Sequence, residues 1–214
     1  MIVIAIDGPA GSGKSSVSKE CANRLGFGYL DTGAAYRALT WAVMTHRISL
    51  ENKDANHIAK EFDYQISLDP DNYWVRSFGT DLTEAIRSEE VAGNVSSVAA
   101  MSEVRTFMKA LTRDLVAKSV LPGVIVEGRD ITTVVFPDAN IRILLTASEE
   151  VRILRRSQEL PSAATSELVS KRDQEDSKVV DFMTPSEGVI LIDTSDLSFE
   201  ASVAAVIDAV EGVI

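Results

Sequence analysis

Residues 8–16 read GPAGSGKSS and follow directly on the apolar run MIVIAID. Gly8, Pro9, Ala10, Gly11, Ser12, Gly13, Lys14 and Ser15 satisfy the spacing G-x-x-x-x-G-K-[ST], with Ser16 next in line. Glycines at this spacing let successive backbone N–H groups curl toward one anion. A helix starting just behind them adds the positive end of its dipole. Lys14 is then placed to reach the β- and γ-phosphates of a nucleoside triphosphate, and the Ser15 hydroxyl to ligate Mg²⁺.

Two further stretches carry charge that suits a second anion. LDTGAAYR (30–37) puts Arg37 in the first turns of a helix after an apolar run. VEGRDITTVVFPDA (126–139) puts Arg129 and Asp130 at the carboxyl end of another. Ligands of open parallel sheets bind at that edge, and two guanidinium groups converging there can clamp a monophosphate bidentately.

These residues need a scaffold of strands. Val3 to Ile6 form a β-branched run without alternation, as in a strand covered on both faces. From Gly13 to Leu25 the pattern is helical, with Val17, Cys21 and Leu25 on one stripe, and Gly26 stops it. Residues 27–30 read as a strand and 33–46 as a helix. DYQISL and YWVRSFG flank DPDN, which predicts an antiparallel hairpin. Helical spacing returns over 102–118, and strand-like runs follow at 123–127, 141–147 and 189–193. A charged helical region runs from Ser148 to about Lys178, and Ser198 opens an amphipathic helix over 198–210. Strands separated by helices predict an α/β fold with a parallel sheet and right-handed crossovers.

Composition narrows the function classes. A net charge of −11 argues against a nucleic-acid partner, whose binders present a basic face. The single cysteine, Cys21, forms no internal disulfide, fits a reducing compartment and reads as a small buried residue. No apolar run approaches the ~18 residues that span a bilayer. Asp7 interrupts the N-terminal apolar run, so no signal peptide is expected. The expectation is a soluble cytoplasmic monomer with no membrane partner. A GTPase would need N-K-x-D, but the pair Asn52-Lys53 continues Asp54-Ala55.

Taken in order, the motifs IAIDGPAGSGKSS, LGFGYLDTGAAYRA, IRSEEVAGNVSSVAAMSEVR, GRDITTVVFPDANIRILLTAS, RDQEDS and DTSDLSFE resemble those of the bacterial cytidylate kinases, a branch of the nucleoside monophosphate kinases. The resemblance covers nearly the whole chain. It implies a P-loop NTPase-type three-layer α/β fold with a five-stranded parallel sheet. It also implies a single kinase domain over 1–214, carrying a nucleotide-binding insertion with a small antiparallel sheet (about 33–100) and a short lid (about 150–172). The implied reaction moves the γ-phosphoryl group of ATP to CMP or dCMP, with Mg²⁺.

Carried over residue by residue, Arg37 and Arg129 hold the acceptor phosphate with Thr32 nearby. Ser96, Arg105 and Asp130 face the cytosine, and Arg172 and Asp176 the sugar. Lid arginines Arg152 and Arg156 touch the transferring phosphoryl group. Elementary chemistry fits several of these roles. A carboxylate such as Asp130 favours the N4 amino donor of cytosine over the oxygen of uracil. Arg152 and Arg156 share a face of a helix begun near Thr146, whose hydroxyl forms a capping box with Glu149. Glu127 ends a strand where a carboxylate can hold Mg²⁺-bound water. One departure is that Val179 stands where the family has a further arginine, with Lys178 beside it. The alternatives are a shikimate- or gluconate-type P-loop kinase, or a regulatory module that binds nucleotide without transferring phosphate.

Overall fold

The computed structural model describes residues 1–51, 54–159 and 182–213, with the backbone alone at residues 156 and 159. In chain order its elements are β1 (Ile2–Asp7), α1 (Lys14–Leu25), β2 (Gly28–Asp31), α2 (Thr32–Met44), α3 (Ala55–Glu61), β3 (Tyr64–Ile66), β4 (Val75–Ser77) and β5 (Thr80–Asp81). There follow a 3₁₀ turn (Ala85–Arg87), α4 (Glu89–Ala99), α5 (Ser102–Ala117), β6 (Gly123–Gly128), a π-turn (Ile131–Val135), β7 (Ile141–Thr146), α6 (Glu149–Glu159), β8 (Ile190–Asp193) and a C-terminal helix (Phe199–Glu211). These divide into two compact units: residues 1–30 with 120 onward, and residues 31–119.

The first unit is built on the five-stranded sheet β2-β6-β1-β7-β8. β1 runs parallel to β6 from Ile2↔Gly123 to Asp7↔Gly128 and parallel to β7 on its other side, and β7 runs parallel to β8. The parallel sheet therefore forms as the apolar runs predict. Ile4, Ile6, Ile125 and Ile143 are fully buried, and each such side chain contributes about 1.5–3 kcal/mol relative to exposure. Helix α1 turns Val17 and Cys21 inward, while Leu25 is only half-buried. The stripe is completed by Ser18 and Ala22 instead, because the helix meets the sheet one residue round from the sequence pattern. Burial pushes the Cys21 thiol up to about 12, and the thiol donates to the Val203 carbonyl at 3.7 Å. It is a packing residue.

One local expectation fails. The helix expected from near Thr146 starts instead at Glu149, and the Ser148 hydroxyl accepts from the Val151 N–H at 3.4 Å. Thr146 is the last residue of β7, because its pairing with Asp193 of β8 keeps the backbone extended there.

The second unit gathers α2 to α5 around a small antiparallel sheet, β3-β4-β5. The expected hairpin is β3 against β4, with Tyr64↔Ser77 and Ile66↔Val75. A third strand, β5, is added by the tight turn Phe78-Gly79, where both residues have positive φ (50° and 71°). Asparagine or glycine usually occupies the first of these positions, so phenylalanine hides the turn from a sequence reading. Helix α4 is capped by the Ser88 hydroxyl, and its Val91, Val95 and Val98 are buried. Phe62 stacks on Tyr64 at 5.4 Å and meets the edge of Phe107 at 6.0 Å. Asp31 caps α2 by accepting from the Ala34 N–H at 3.1 Å.

Where β6 begins, a Cβ on Gly123 would lie 2.6 Å from the ring of Phe27. Gly123→Ala should therefore destabilise the fold by about 1–3 kcal/mol through overpacking. A fall in the thermal midpoint checks this, and Gly123→Ala combined with Phe27→Leu should recover part of the loss.

Candidate active site

The carboxyl ends of β1 and β6 set the front of the site. Between β1 and α1 the chain makes the loop 8–13, and its compactness is enforced by neighbours on two sides. A Cβ on Gly8 would meet the Leu145 carbonyl oxygen at 2.1 Å. At Gly11 φ is +76°, and a Cβ there would lie 2.5 Å from the Arg152 carbonyl oxygen. The loop closes on itself through the Ser12 N–H to the Pro9 carbonyl, and Gly13 caps α1.

Glu127, near the end of β6, draws together side chains from the first turn of α1, directly behind this loop, and from β2. Its Oε1 accepts from the Ser15 hydroxyl at 2.6 Å and from the Tyr29 hydroxyl at 3.1 Å. Lys14 Nζ stands 3.9 Å from the other oxygen, Oε2, and 3.5 Å from the Pro9 carbonyl. The Glu127 side chain is 2% exposed and that of Lys14 is 15% exposed, so the carboxylate is sheltered and the ammonium sits at the mouth. A hydroxyl and a carboxylate this close offer two hard oxygen donors, the kind Mg²⁺ takes together with phosphate oxygens and water. Among the described residues no cluster of three or more His, Cys, Asp or Glu that could hold a metal ion is found.

Helix α6 lies against the loop. Arg152 is buried, and its Nη1 donates to the Ala10 carbonyl at 3.1 Å. Arg155 Nη1 donates to the Ser12 carbonyl at 3.2 Å and to the Thr194 hydroxyl at 2.9 Å, while its Nη2 donates to the Thr194 carbonyl at 2.8 Å. The Thr194 hydroxyl lies 2.9 Å from the Thr146 carbonyl. Arg155 and Thr194 were not singled out by the sequence, although Thr194 lies in DTSDLSFE and Arg155 precedes Arg156. Apart from the bond between them, their partners are backbone carbonyls, and those leave no sequence signal. The Arg156 side chain, Arg172, Asp176 and Lys178 lie outside what is described, as does the lid from residue 160 on.

After β6 come Arg129 and Asp130. The Arg129 guanidinium stacks over the Phe182 ring at 4.2 Å, and Asp130 is buried. The Asp130 carbonyl starts the π-turn, accepting from Val134 at 2.9 Å and Val135 at 3.1 Å. The carboxylate of Asp7, itself buried, reaches this turn from the end of β1. It accepts from the Ile131 and Thr132 N–H groups at 2.8 Å each and from the Thr132 hydroxyl at 2.6 Å. Burial pushes the Asp7 carboxyl above its usual range, and the hydrogen bonds from Thr132 and Ile131 oppose that.

In the second unit, Thr32 opens α2 and is buried. Arg37 lies one turn on, 3.6 Å from the Asp31 carboxylate, and Gly33 makes room for it: a Cβ there would stand 3.3 Å from Arg37 Nη1. Ser96 on α4 and Arg105 on α5 are half-buried.

Comparison with known proteins now decides the family. The family model described as cytidylate kinase matches residues 4–212. The chain belongs to the cytidylate kinase family. It is 42% identical to the cytidylate kinase of Streptomyces avermitilis over 98% of this chain and 93% of that one. The cytidylate kinase of Cutibacterium acnes is 40% identical over 98% and 96%, and that of Caldanaerobacter subterraneus 42% over 98% and 94%. Among solved structures, the fold resembles a Thermus thermophilus protein (TM-score 0.53, 16% identity, 99% and 96% coverage). It also resembles the shikimate kinase of Bacteroides thetaiotaomicron (TM-score 0.50, 14% identity, 98% of both chains). At those identities the likeness is one of fold.

Gly11→Ala tests the close fit of α6 on the loop. Positive φ and the 2.5 Å approach to the Arg152 carbonyl act together. The substitution should cost about 1–3 kcal/mol in thermal or urea unfolding, because both strain and contact oppose it.

Proposed function

We infer that this enzyme is a (d)CMP kinase, transferring the γ-phosphoryl group of ATP to CMP or dCMP and giving ADP with CDP or dCDP. The observation that carries the reading is Glu127 gathering Ser15 and Lys14 at the mouth of a phosphate-binding loop, in a chain of the cytidylate kinase family. We read the chain as one kinase domain in which the segment about 33–100 serves the acceptor and about 150–172 is the lid.

In this reading the backbone N–H groups of residues 8–16 and the Lys14 ammonium hold the triphosphate. Ser15 and Glu127 would hold Mg²⁺, directly and through water, and the ion would neutralise phosphate charge. Arg37 and Arg129, with Thr32, grip the acceptor phosphate. Support comes from Thr32 at the start of α2, where the helix dipole favours an anion, and from Arg129 directly after β6. Asp130 accepts from the cytosine amino group, with Ser96 and Arg105 beside the base, and Arg172 and Asp176 take the sugar. Arg152 and Arg156 neutralise the transferring group; for Arg152 this means exchanging the Ala10 carbonyl for phosphate oxygen. No strong base is required, because the transition state is loose and catalysis is mostly alignment and charge neutralisation.

Coupled ADP-release assays with ATP against CMP, dCMP, UMP, AMP and shikimate check the assignment. CMP and dCMP should lead the panel; a lead for AMP or shikimate would overturn the cytosine reading. Lys14→Ala should lower turnover by about 10²-fold or more, as loss of a preorganised cation does. Asp130→Asn should narrow the gap between CMP and UMP, and an unchanged ratio would remove Asp130 from base recognition.

A further inference from the structure

Asp7 is a buried carboxylate that phosphoryl transfer does not use directly. It ends β1, where its backbone pairs with Gly128 on one side and Leu144 on the other. The side chain reaches past β6 to the start of the π-turn. Helical turns begin with N–H groups that have no partner within the turn. Here Ile131 and Thr132 supply two of these, and both point at Asp7, one to each carboxylate oxygen, at 2.8 Å. The Thr132 hydroxyl adds a third bond at 2.6 Å. One carboxylate therefore caps a turn that lies 124 residues away in the chain. The residue that opens this turn is Asp130, preceded by Arg129.

We propose that Asp7 is the positioning residue that holds Arg129 and Asp130 in register with the root of the phosphate loop, so that discrimination between cytosine and uracil depends on it. The inference rests on the (d)CMP kinase reading and deepens it. Two N–H donors and a hydroxyl donor require acceptors on both oxygens. An amide in place of the carboxylate keeps one acceptor and turns an NH₂ group toward a donor. The turn then loses at least one of its three capping bonds, and the backbone of Asp130, whose carbonyl starts the turn, is held less firmly. Arg129 grips phosphate and Asp130 reads the base, so both functions loosen together.

The test measures kcat and KM for CMP and UMP in the wild-type enzyme and in Asp7→Asn, Thr132→Val and Thr132→Ser. In Asp7→Asn the ratio of kcat/KM for CMP over UMP should fall about tenfold, the effect expected from losing hydrogen bonds to a charged acceptor. Thr132→Val, remote in sequence from the phosphate loop, should raise KM for CMP severalfold with KM for ATP unchanged. Thr132→Ser, which keeps the hydroxyl, should restore wild-type values. A structural role alone would lower the active fraction and hence kcat, leaving the CMP to UMP ratio intact. A ratio within about twofold of wild type in a folded Asp7→Asn overturns the proposal. Should Asp7→Asn not fold, an unchanged KM for CMP in Thr132→Val overturns it equally. Failure of the wild-type enzyme to phosphorylate CMP would instead sink the functional reading beneath it.

Discussion

A sheltered carboxylate near the end of β6 governs the front of this molecule. Glu127 is buried on a strand whose every residue is buried, and a lone charge in such a place would be costly. It is not alone: two hydroxyls and an ammonium converge on it, from Ser15, Tyr29 and Lys14. The constraint works in both directions. The carboxylate needs these donors, and the donors are thereby fixed beside the loop between β1 and α1. Oxygen donors on a rigid strand keep this geometry better than donors on a loop would.

The same economy appears at the neighbouring strand end. Asp7 satisfies the amides of a turn, and that turn begins with the residues proposed to read the acceptor. Helix α6 anchors the other flank, with Arg152 and Arg155 donating to loop carbonyls at Ala10 and Ser12. The loop 8–13 is thus shaped by backbone approach at Gly8 and Gly11 and by guanidinium donors beside them. Each contact is local to the carboxyl edge of the parallel sheet, where open α/β folds place their ligands.

How much of this could be read beforehand follows the range of each interaction. The tight loop between β1 and α1 is legible because the glycines that shape it, Gly8, Gly11 and Gly13, lie within a few residues of one another. The strands of the sheet are legible because burial on both faces leaves continuous apolar runs such as residues 123–127 and 141–147. Asp7 was invisible as a cap, since its partners lie far away in sequence and two of them are backbone amides. Arg155 leaves no signal in the sequence because helical spacing names a face and not a partner. The start of α6 was misplaced at Thr146 because pairing with β8, a distant strand, decides where β7 ends. Strand β5 depends on a phenylalanine at positive φ, which residue preference argues against.

The central claim is that the Glu127 carboxylate organises Ser15 and Lys14 for a cation-bound triphosphate. Glu127→Gln tests it most directly, by titrating Mg²⁺ at fixed ATP and following both turnover and the nucleotide-induced rise in thermal midpoint. The account predicts that both curves shift to about tenfold higher Mg²⁺, as loss of an outer-sphere carboxylate does, while KM for CMP stays at its wild-type value. Mg²⁺ curves that overlay those of the wild-type enzyme would contradict it.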